Sequence, residues 1–136
     1  MNFLIDHNLP PSWALALDAL SINKFDSGQV GKVVALKNEF PHNTADAVWL
    51  KALSDQGNWA VLSGDFFKKN KSEKELVRSS GLSVFVLTKT WNYPHWQRTA
   101  RLIEWWPKIV NQANSVDKAC FEIPWRISGR FIQMRL

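Results

Sequence analysis

Three aspartates, Asp6, Asp46 and Asp65, have the residue type and the placement to hold a divalent cation. Asp6 follows the apolar run 3–5, Asp65 closely follows the apolar run 59–62, and Asp46 lies in the helical stretch that leads into the second run. Three carboxylates brought to one place repel one another unless a cation lies between them. Mg²⁺ and Mn²⁺ prefer such oxygen ligands and retain several waters. The acids therefore predict a site for metal-assisted chemistry.

Each of these acids also has a purely structural explanation. Asp6 or Asn8 could cap the helix that starts near Pro10. Asp46 could complement the helix dipole from the first turn, and Asp65, which follows a glycine, could form a turn. The interpretation as a site rests on the three acids together, because a right-handed crossover would bring all of them to the same rim of a sheet.

The elements that would position these acids alternate between strands and helices. Short apolar or β-branched runs predict strands, and apolar residues at helical spacing predict helices. The predicted strands are 2–5, 31–36, 59–62 and 83–87, with a final edge strand or hairpin within 120–132. The predicted helices are 11–20, 45–53 and 95–113, and a basic loop over 66–78 leads into another. Thr44 is the expected N-cap of the second helix, and Pro107 an expected kink or boundary in the last.

This alternation predicts one α/β domain spanning residues 1–136, with a mostly parallel, twisted, Rossmann-like sheet flanked by helices. With 136 residues, 46% of them hydrophobic, the chain can bury a core without covalent support. The single cysteine, Cys120, excludes an intramolecular disulfide and a multi-cysteine zinc site. The start resembles no signal segment, and no apolar run approaches the roughly 18 residues of a membrane span. These features predict a cytoplasmic protein with no membrane partner.

Charge is distributed unevenly along the chain. Residues 1–66 contain four Lys and seven Asp or Glu, a balance of −3. Residues 67–136 contain thirteen Lys or Arg and five Asp or Glu, a balance of +8, which gives the total of +5. An acidic half joined to a basic half suits a protein that processes a polyanion, although solvated surface charge explains the same numbers.

Five cations in the basic half are candidates for nucleic-acid binding. Lys68, Lys69 and Lys71 follow Asp65 and could bind phosphates at the mouth of the site, although a solvated loop would explain them equally well. A pair of arginines beside two aromatic rings could bind a backbone while a ring stacks on an unpaired base. These residues are Arg126 and Arg130, beside Trp125 and Phe131.

Three segments, 4–11, 44–50 and 59–65, resemble the compact PIN-like family, which is close to the VapC-type toxin nucleases of bacterial toxin–antitoxin systems. Segments 106–110 and 121–126 are similar to the closing parts of these short proteins. The resemblance implies a metal-dependent nuclease, usually acting on RNA, built on a parallel sheet with an acidic pocket at the strand ends.

By motif, the resemblance implies that Asp6, Asp46 and Asp65 are catalytic residues and ligands of Mg²⁺ (or Mn²⁺). Ser63 matches the hydroxyl position of the turn, and Asn8 and Ser63 are expected to orient waters or a carboxylate beside the metal. The implied reaction is hydrolysis of RNA phosphodiester bonds by an activated water. If the protein is a toxin, an antitoxin protein should neutralise it, and homodimers are common in the family.

Two departures from the family pattern favour a second hypothesis, a degenerate PIN-like module that binds RNA or a partner protein without cleavage. The segment between the first and the third of these acidic blocks is too short for the helix that carries a further acid in full-length members, and Glu39 is the one candidate substitute. His7 stands where compact relatives often have a second acid. A small-molecule phosphatase is disfavoured, because Asn8 occupies the place of the second aspartate that a phosphoryl-aspartate enzyme uses.

Overall fold

The computed structural model describes residues 1–64, 71–116 and 118–134. The strands are β1 (Asn2–Ile5), β2 (Val33–Ala35), β3 (Trp59–Gly64), β4 (Ser83–Leu87), β5 (Cys120–Ile123) and β6 (Ile132–Met134). The helices are α1 (Pro11–Ser21), α2 (Leu36–Glu39), α3 (Asp46–Gln56), α4 (Lys71–Ser80) and α5 (His95–Ser115), with a 3₁₀ turn over Lys89–Trp91. The strands form one sheet in the order β2-β1-β3-β4-β5-β6.

The sheet is buried on both faces. Successive residues of β1 enter opposite cores, since Phe3 and Ile5 pack beneath α1 and α5 while Leu4 packs against α3 and α4. Strands β1 to β5 are parallel, and β6 runs antiparallel to β5. Burial on both faces explains why the strands read as continuous apolar runs instead of alternating apolar and polar residues. The predicted α/β fold with a mostly parallel sheet flanked by helices is confirmed.

The strand order places a crevice at the carboxyl ends of β1 and β3. Strand β1 pairs with β2 on one side and with β3 on the other, so the chain reverses its progress across the sheet between them. Ligands of open α/β sheets bind outside the carboxyl ends of strands at such a reversal. Because Ile5 pairs with Leu62, the residues that follow them, Asp6 and Ser63, lie side by side.

Two local predictions differ from the structure near α2 and α3. The strand predicted over 31–36 is limited to β2, because Leu36 already begins a helix. Thr44 is not the N-cap of α3: Ala45 occupies that position without a side-chain hydrogen bond. The Thr44 hydroxyl instead donates to the carbonyl of Pro41 at 2.7 Å, which stabilises the preceding turn.

Of the two alternatives predicted at Pro107, a kink or a boundary, the boundary is wrong, because α5 continues through the proline. The apolar side chains on both sides of the proline, among them Leu102 and Ile109, are buried in the same core. Packing along the whole face therefore outweighs the hydrogen bond that the proline removes. Even α5 lacks the apolar length to cross a membrane, and the same holds for the other helices in the described ranges.

Candidate active site

A cavity of about 590 Å³ opens at the carboxyl ends of β1, β3 and β4. Its walls are the turn after β1, the first residue of α3, and the segment from the end of β4 into α5. The residues that line it are Asp6, His7, Asn8, Leu9, Asp46, Gly64, Leu87, Thr88, Lys89, Trp91, Asn92, Tyr93 and Arg98. The cavity thus lies where the strand order places a ligand crevice.

Asp6 brings a buried carboxylate to this cavity, with only 1% of the residue exposed. Its Oδ2 accepts a hydrogen bond from the Ser63 hydroxyl at 2.9 Å. Its Oδ1 accepts from the backbone N–H of His7 at 2.7 Å and lies 2.8 Å from Nδ1 of the same residue. A buried charge is tolerated only when it is hydrogen-bonded or paired, and these contacts explain how a core strand can end on an acid.

Asn8 ties the ends of β1 and β3 together. Its Oδ1 accepts from the backbone N–H of Gly64 at 3.1 Å, and its Nδ2 donates to the carbonyl of the same residue. The amide side chain thereby links the two strands beyond their last paired residues, Ile5 and Leu62. The explanation of Asp6 or Asn8 as a cap of α1 is wrong, because Pro10 is the N-cap and no side chain caps it.

Asp46 is the first residue of α3, is half-buried, and lines the same cavity as Asp6. One of its oxygens, Oδ1, accepts a hydrogen bond from Nε1 of the buried Trp49 at 3.0 Å. This position in the first turn also favours a negative charge through the helix dipole. The structural and the functional explanations of Asp46 are therefore compatible.

The wall after β4 adds two cations that the sequence analysis did not select. Lys89 is exposed, and Arg98 is half-buried with its guanidinium carbon 5.2 Å from the centre of the Trp13 ring. Within the described ranges, neither cation forms a salt bridge. The rule already applied to Asp6, that residues just past the carboxyl end of a parallel strand gather at one rim, could have identified Lys89. It does not extend to Arg98, which lies in α5.

A family model described as "PIN like domain" matches residues 1–89 of the 136. The chain belongs to the PIN-like domain family. Such domains are usually nucleases, so membership supports a nuclease in general terms. No curated protein matches the chain, and no solved structure does. The matched range contains Asp6 and Asp46 and ends before Tyr93 and Arg98, and it also leaves out the tail segments 106–110 and 121–126.

Several residues predicted for this PIN-like domain are not brought to the cavity by the described structure. Asp65, Lys68 and Lys69 lie outside the described residues, and so does the side chain of Lys71, whose backbone begins α4. Two others are exposed on the segment between β5 and β6, and neither lines the cavity. They are Arg126 and Arg130. Their roles stay predictions.

The two aromatic rings beside those arginines are engaged within the protein. Trp125 stacks on Tyr93, with the ring centres 4.0 Å apart. Phe131 packs against three rings of the core, at 5.1 to 6.1 Å between centres, namely Phe85, Trp105 and Phe121. Trp125 and Phe131 are half-buried and pack against rings of the fold, which disfavours the prediction that one of them stacks on an unpaired base.

The side chains of the cavity fit a cation of the Mg²⁺ type in a limited way. An ionised carboxylate offers about four lone-pair positions, and three of those on Asp6 are used by Ser63 and His7. Asp46 supplies the second carboxylate, which suffices for Mg²⁺ because this ion binds one or two carboxylates plus waters and substrate phosphates. No group of three or more His, Cys, Asp or Glu residues suited to a metal occurs within the described residues. Glu39 is exposed and does not line the cavity, so it does not substitute for a further acid.

Proposed function

We propose that this PIN-like domain is a metal-dependent ribonuclease that hydrolyses RNA phosphodiester bonds, and that it is the toxin of a toxin–antitoxin pair. The proposal is carried by one observation: Asp6 and Asp46 line a single cavity together with Lys89 and Arg98, two cations that form no salt bridge within the described residues. Carboxylates suit Mg²⁺ or Mn²⁺, and the cations suit phosphates. The resemblance to VapC-type proteins supports the role as a toxin.

The acids would hold the metal, and other side chains would position them. Asp6, Asp46 and, by motif, Asp65 would hold Mg²⁺ or Mn²⁺, which when bound activates a water and stabilises charge on the leaving oxygen. Ser63 and His7 fix the orientation of the Asp6 carboxylate through their hydrogen bonds. Such partners of a ligand raise metal affinity by holding it ready for binding.

The cationic wall would bind the substrate. Lys89 and Arg98 line the cavity from the segment that follows β4. In the sheet, β3 lies between β4 and β1, the strand that precedes Asp6. Their positive charges would offset the phosphates on either side of the scissile bond and so draw RNA to the acids. Asn8 would keep the ends of β1 and β3 at a fixed spacing while the substrate is bound.

A second candidate function, binding of RNA or a partner protein without cleavage, is favoured by the surroundings of Asp6. Three hydrogen bonds from within the protein already use most of the lone-pair positions of that carboxylate. A carboxylate so engaged contributes fewer oxygens to a metal. The nuclease remains the better-supported function, because the buried carboxylate is directed to a cavity that also contains Asp46.

Cleavage of a labelled RNA pool in Mg²⁺ or Mn²⁺, with EDTA as the metal-free condition, tests the proposal. Asp6→Asn and Asp46→Asn are expected to abolish cutting. An asparagine at position 6 can still accept from His7 and donate to the hydroxyl of Ser63, so this variant is expected to fold. Asp55→Asn, which removes a surface carboxylate paired with Lys51, is the matched control and should cut normally.

The outcomes separate the two candidates. Metal-dependent cutting that survives Asp55→Asn and is lost in the other two variants would establish the nuclease. RNA binding without cutting in any metal would favour the binding module. Growth arrest on induction of the wild-type chain, absent for Asp6→Asn, tests the role as a toxin. Unchanged growth in cells that contain active nuclease would contradict that role.

A further inference from the structure

A three-layer stack of planar groups reaches the cavity through Tyr93, which is part of its lining. The rings of Tyr93 and Trp125 lie 4.0 Å apart between centres and are inclined by only 12°. The guanidinium carbon of Arg101 lies 4.5 Å from the centre of the Trp125 ring. Because Tyr93 covers one face of that ring at contact distance, the guanidinium must cover the other. Trp125 is therefore enclosed, and Tyr93 is the outermost layer of the stack.

The stack is held rigidly from below. Trp91 is buried, donates its Nε1–H to the carbonyl of Ile123 at 2.8 Å, and packs its ring against Trp125 at 88°. The backbone N–H of Tyr93 donates to the carbonyl of Trp91 at 2.8 Å. Arg101 donates to the carbonyl of Trp125. The Tyr93 ring is thus fixed before any ligand arrives, which lowers the entropy cost of binding.

Tyr93 presents a free aromatic surface to the cavity. The residue is 45% exposed and lines the cavity. Since Trp125 covers one face of the ring, the exposed area belongs to the opposite face and the edges. An exposed ring on a rigid support is the kind of platform on which an unpaired base stacks.

Two cations lie on the same wall as this ring. Lys89 precedes Tyr93 by four residues and Arg98 follows it by five, and both line the cavity. The Nε of Arg98 is buried and has no hydrogen-bond partner among the described residues. A planar surface next to two cations matches a nucleotide, which joins a planar base to an anionic phosphate.

We propose that Tyr93 is the stacking platform for one unpaired base of the RNA, and that Lys89 and Arg98 bind the phosphates beside that base. The inference rests on the proposed function for the identity of the ligand as RNA. A base inside a duplex is already stacked on its neighbours, so this platform selects single-stranded positions. Tyr93 and Arg98 follow the range 1–89 that matches the family, so the platform is read from the geometry of this chain.

The test measures affinity for single-stranded RNA of about six nucleotides in EDTA, where no cutting is expected. A set of otherwise identical oligonucleotides lacks one base in turn, and binding is followed by fluorescence anisotropy. We expect one abasic position to bind the wild-type protein roughly 5- to 150-fold more weakly than the intact strand. Tyr93→Leu should bind the intact strand as weakly and should no longer distinguish that position. Tyr93→Phe should behave as the wild type does.

A second readout reports stacking directly. 2-Aminopurine placed at the sensitive position is expected to be quenched by the wild-type protein and by Tyr93→Phe, and not by Tyr93→Leu. Trp96→Leu is the matched control, since Trp96 is 80% exposed but does not line the cavity. That variant should bind like the wild type.

Each remaining outcome is decisive. Equal binding of all abasic strands by the wild-type protein would overturn the inference without any variant, so poor folding of Tyr93→Leu leaves the test intact. Absence of binding to every strand would overturn it as well. Base-dependent binding by a protein that does not cut RNA in Mg²⁺ or Mn²⁺ would retain the platform and overturn the nuclease. RNA cutting that is unchanged in Tyr93→Leu and in Tyr93→Phe would retain the nuclease and overturn the platform.

Discussion

Asp6 illustrates at the scale of single residues how a charge can be kept in a protein core. Its carboxylate exchanges water for a hydroxyl, a backbone N–H and an imidazole nitrogen, all within 2.9 Å. The hydroxyl comes from Ser63, which is itself fully buried. Hydrogen bonds to an ionised group are about twice as strong as those between neutral groups. The two side chains therefore form one structural unit, although 57 positions separate them in the sequence.

Replacing Ser63 with alanine should destabilise the protein by about 1–3 kcal/mol, because the buried carboxylate of Asp6 loses a hydrogen-bond donor. Urea unfolding measures the difference. Ser79→Ala, on the exposed side of α4, is the control and should change stability by less than about 0.5 kcal/mol. A loss for Ser63→Ala no larger than for the control would show that this hydrogen bond does not stabilise the buried charge.

At the scale of elements, the strands and the position of Asp6 after the first of them could be predicted, because strands buried on both faces appear in the sequence as unbroken apolar runs. Asp6 and Asp46 reach one cavity for the reason that predicted them, the common rim of parallel strands. Apart from Lys89, which lies just past the end of β4, the wall formed by 88–98 could not be predicted in the same way. Its residues belong to a turn and a helix start, and their position depends on contacts with Trp125, a residue distant in sequence.

Pro107 shows why helix boundaries are harder to predict than helix existence. A proline in a helix interior removes one hydrogen bond and crowds the preceding turn, yet α5 continues because its buried face is formed by residues on both sides. Pro107→Ala should restore the hydrogen bond and stabilise the protein by up to about 3 kcal/mol. Pro41→Ala, in an exposed loop, should instead cost about 0.4–1 kcal/mol through the unfolded chain. If urea unfolding showed that both variants are stabilised, or that both are destabilised, this account would be contradicted.

The join between β1 and β3 depends on Asn8. Asn8→Ala removes two hydrogen bonds to Gly64, each worth about 1 kcal/mol, and local opening there becomes easier. We expect hydrogen exchange of the Gly64 amide to accelerate about tenfold or more. Asn111→Ala, on the exposed side of α5, is the control and should leave that amide unchanged. An unchanged rate in both variants would mean that strand pairing alone protects the join.

At the scale of the whole molecule, the acids and the cations of the site come from different halves of the chain. The acidic half contributes β1 to β3, and the basic half contributes the wall after β4. RNA binding should therefore weaken as salt is added, with a slope of about −0.7 per phosphate contact for a single strand. The double variant Lys89→Ala/Arg98→Ala should make this slope shallower by about 1.4.

Anisotropy titrations in EDTA at several salt concentrations measure that slope. Lys37→Ala, an exposed lysine on α2, is the matched control and should leave the slope unchanged. A slope equally steep in the double variant would mean that the phosphates contact other cations of the basic half.

The buried thiol of Cys120 is expected to make the fold less stable at alkaline pH. Burial, with a smaller effect from the Glu122 carboxylate, raises the pKa of its thiol from 9.0 to about 12. Above pH 9 the unfolded chain releases this proton while the native protein keeps it, so stability falls between pH 9 and 12 and is unaffected below pH 9. The expected slope is at most about 1.4 kcal/mol per pH unit. Cys120→Ala should lose stability less steeply over that range in urea unfolding, and identical slopes would contradict the prediction.

The position of β1 between β2 and β3 also governs when the protein becomes functional during its synthesis. Strands β1 to β5 pair in parallel and not as hairpins. Strand β1 therefore lacks one of its two neighbouring strands until β3 has been made. At about 5–20 residues per second, the ribosome exposes Asp6 several seconds before Ser63 can cover it, and Tyr93 and Trp125 follow later still. A nascent chain that stalls before Tyr93 and Trp125 have been made therefore displays the acid without this wall of the cavity.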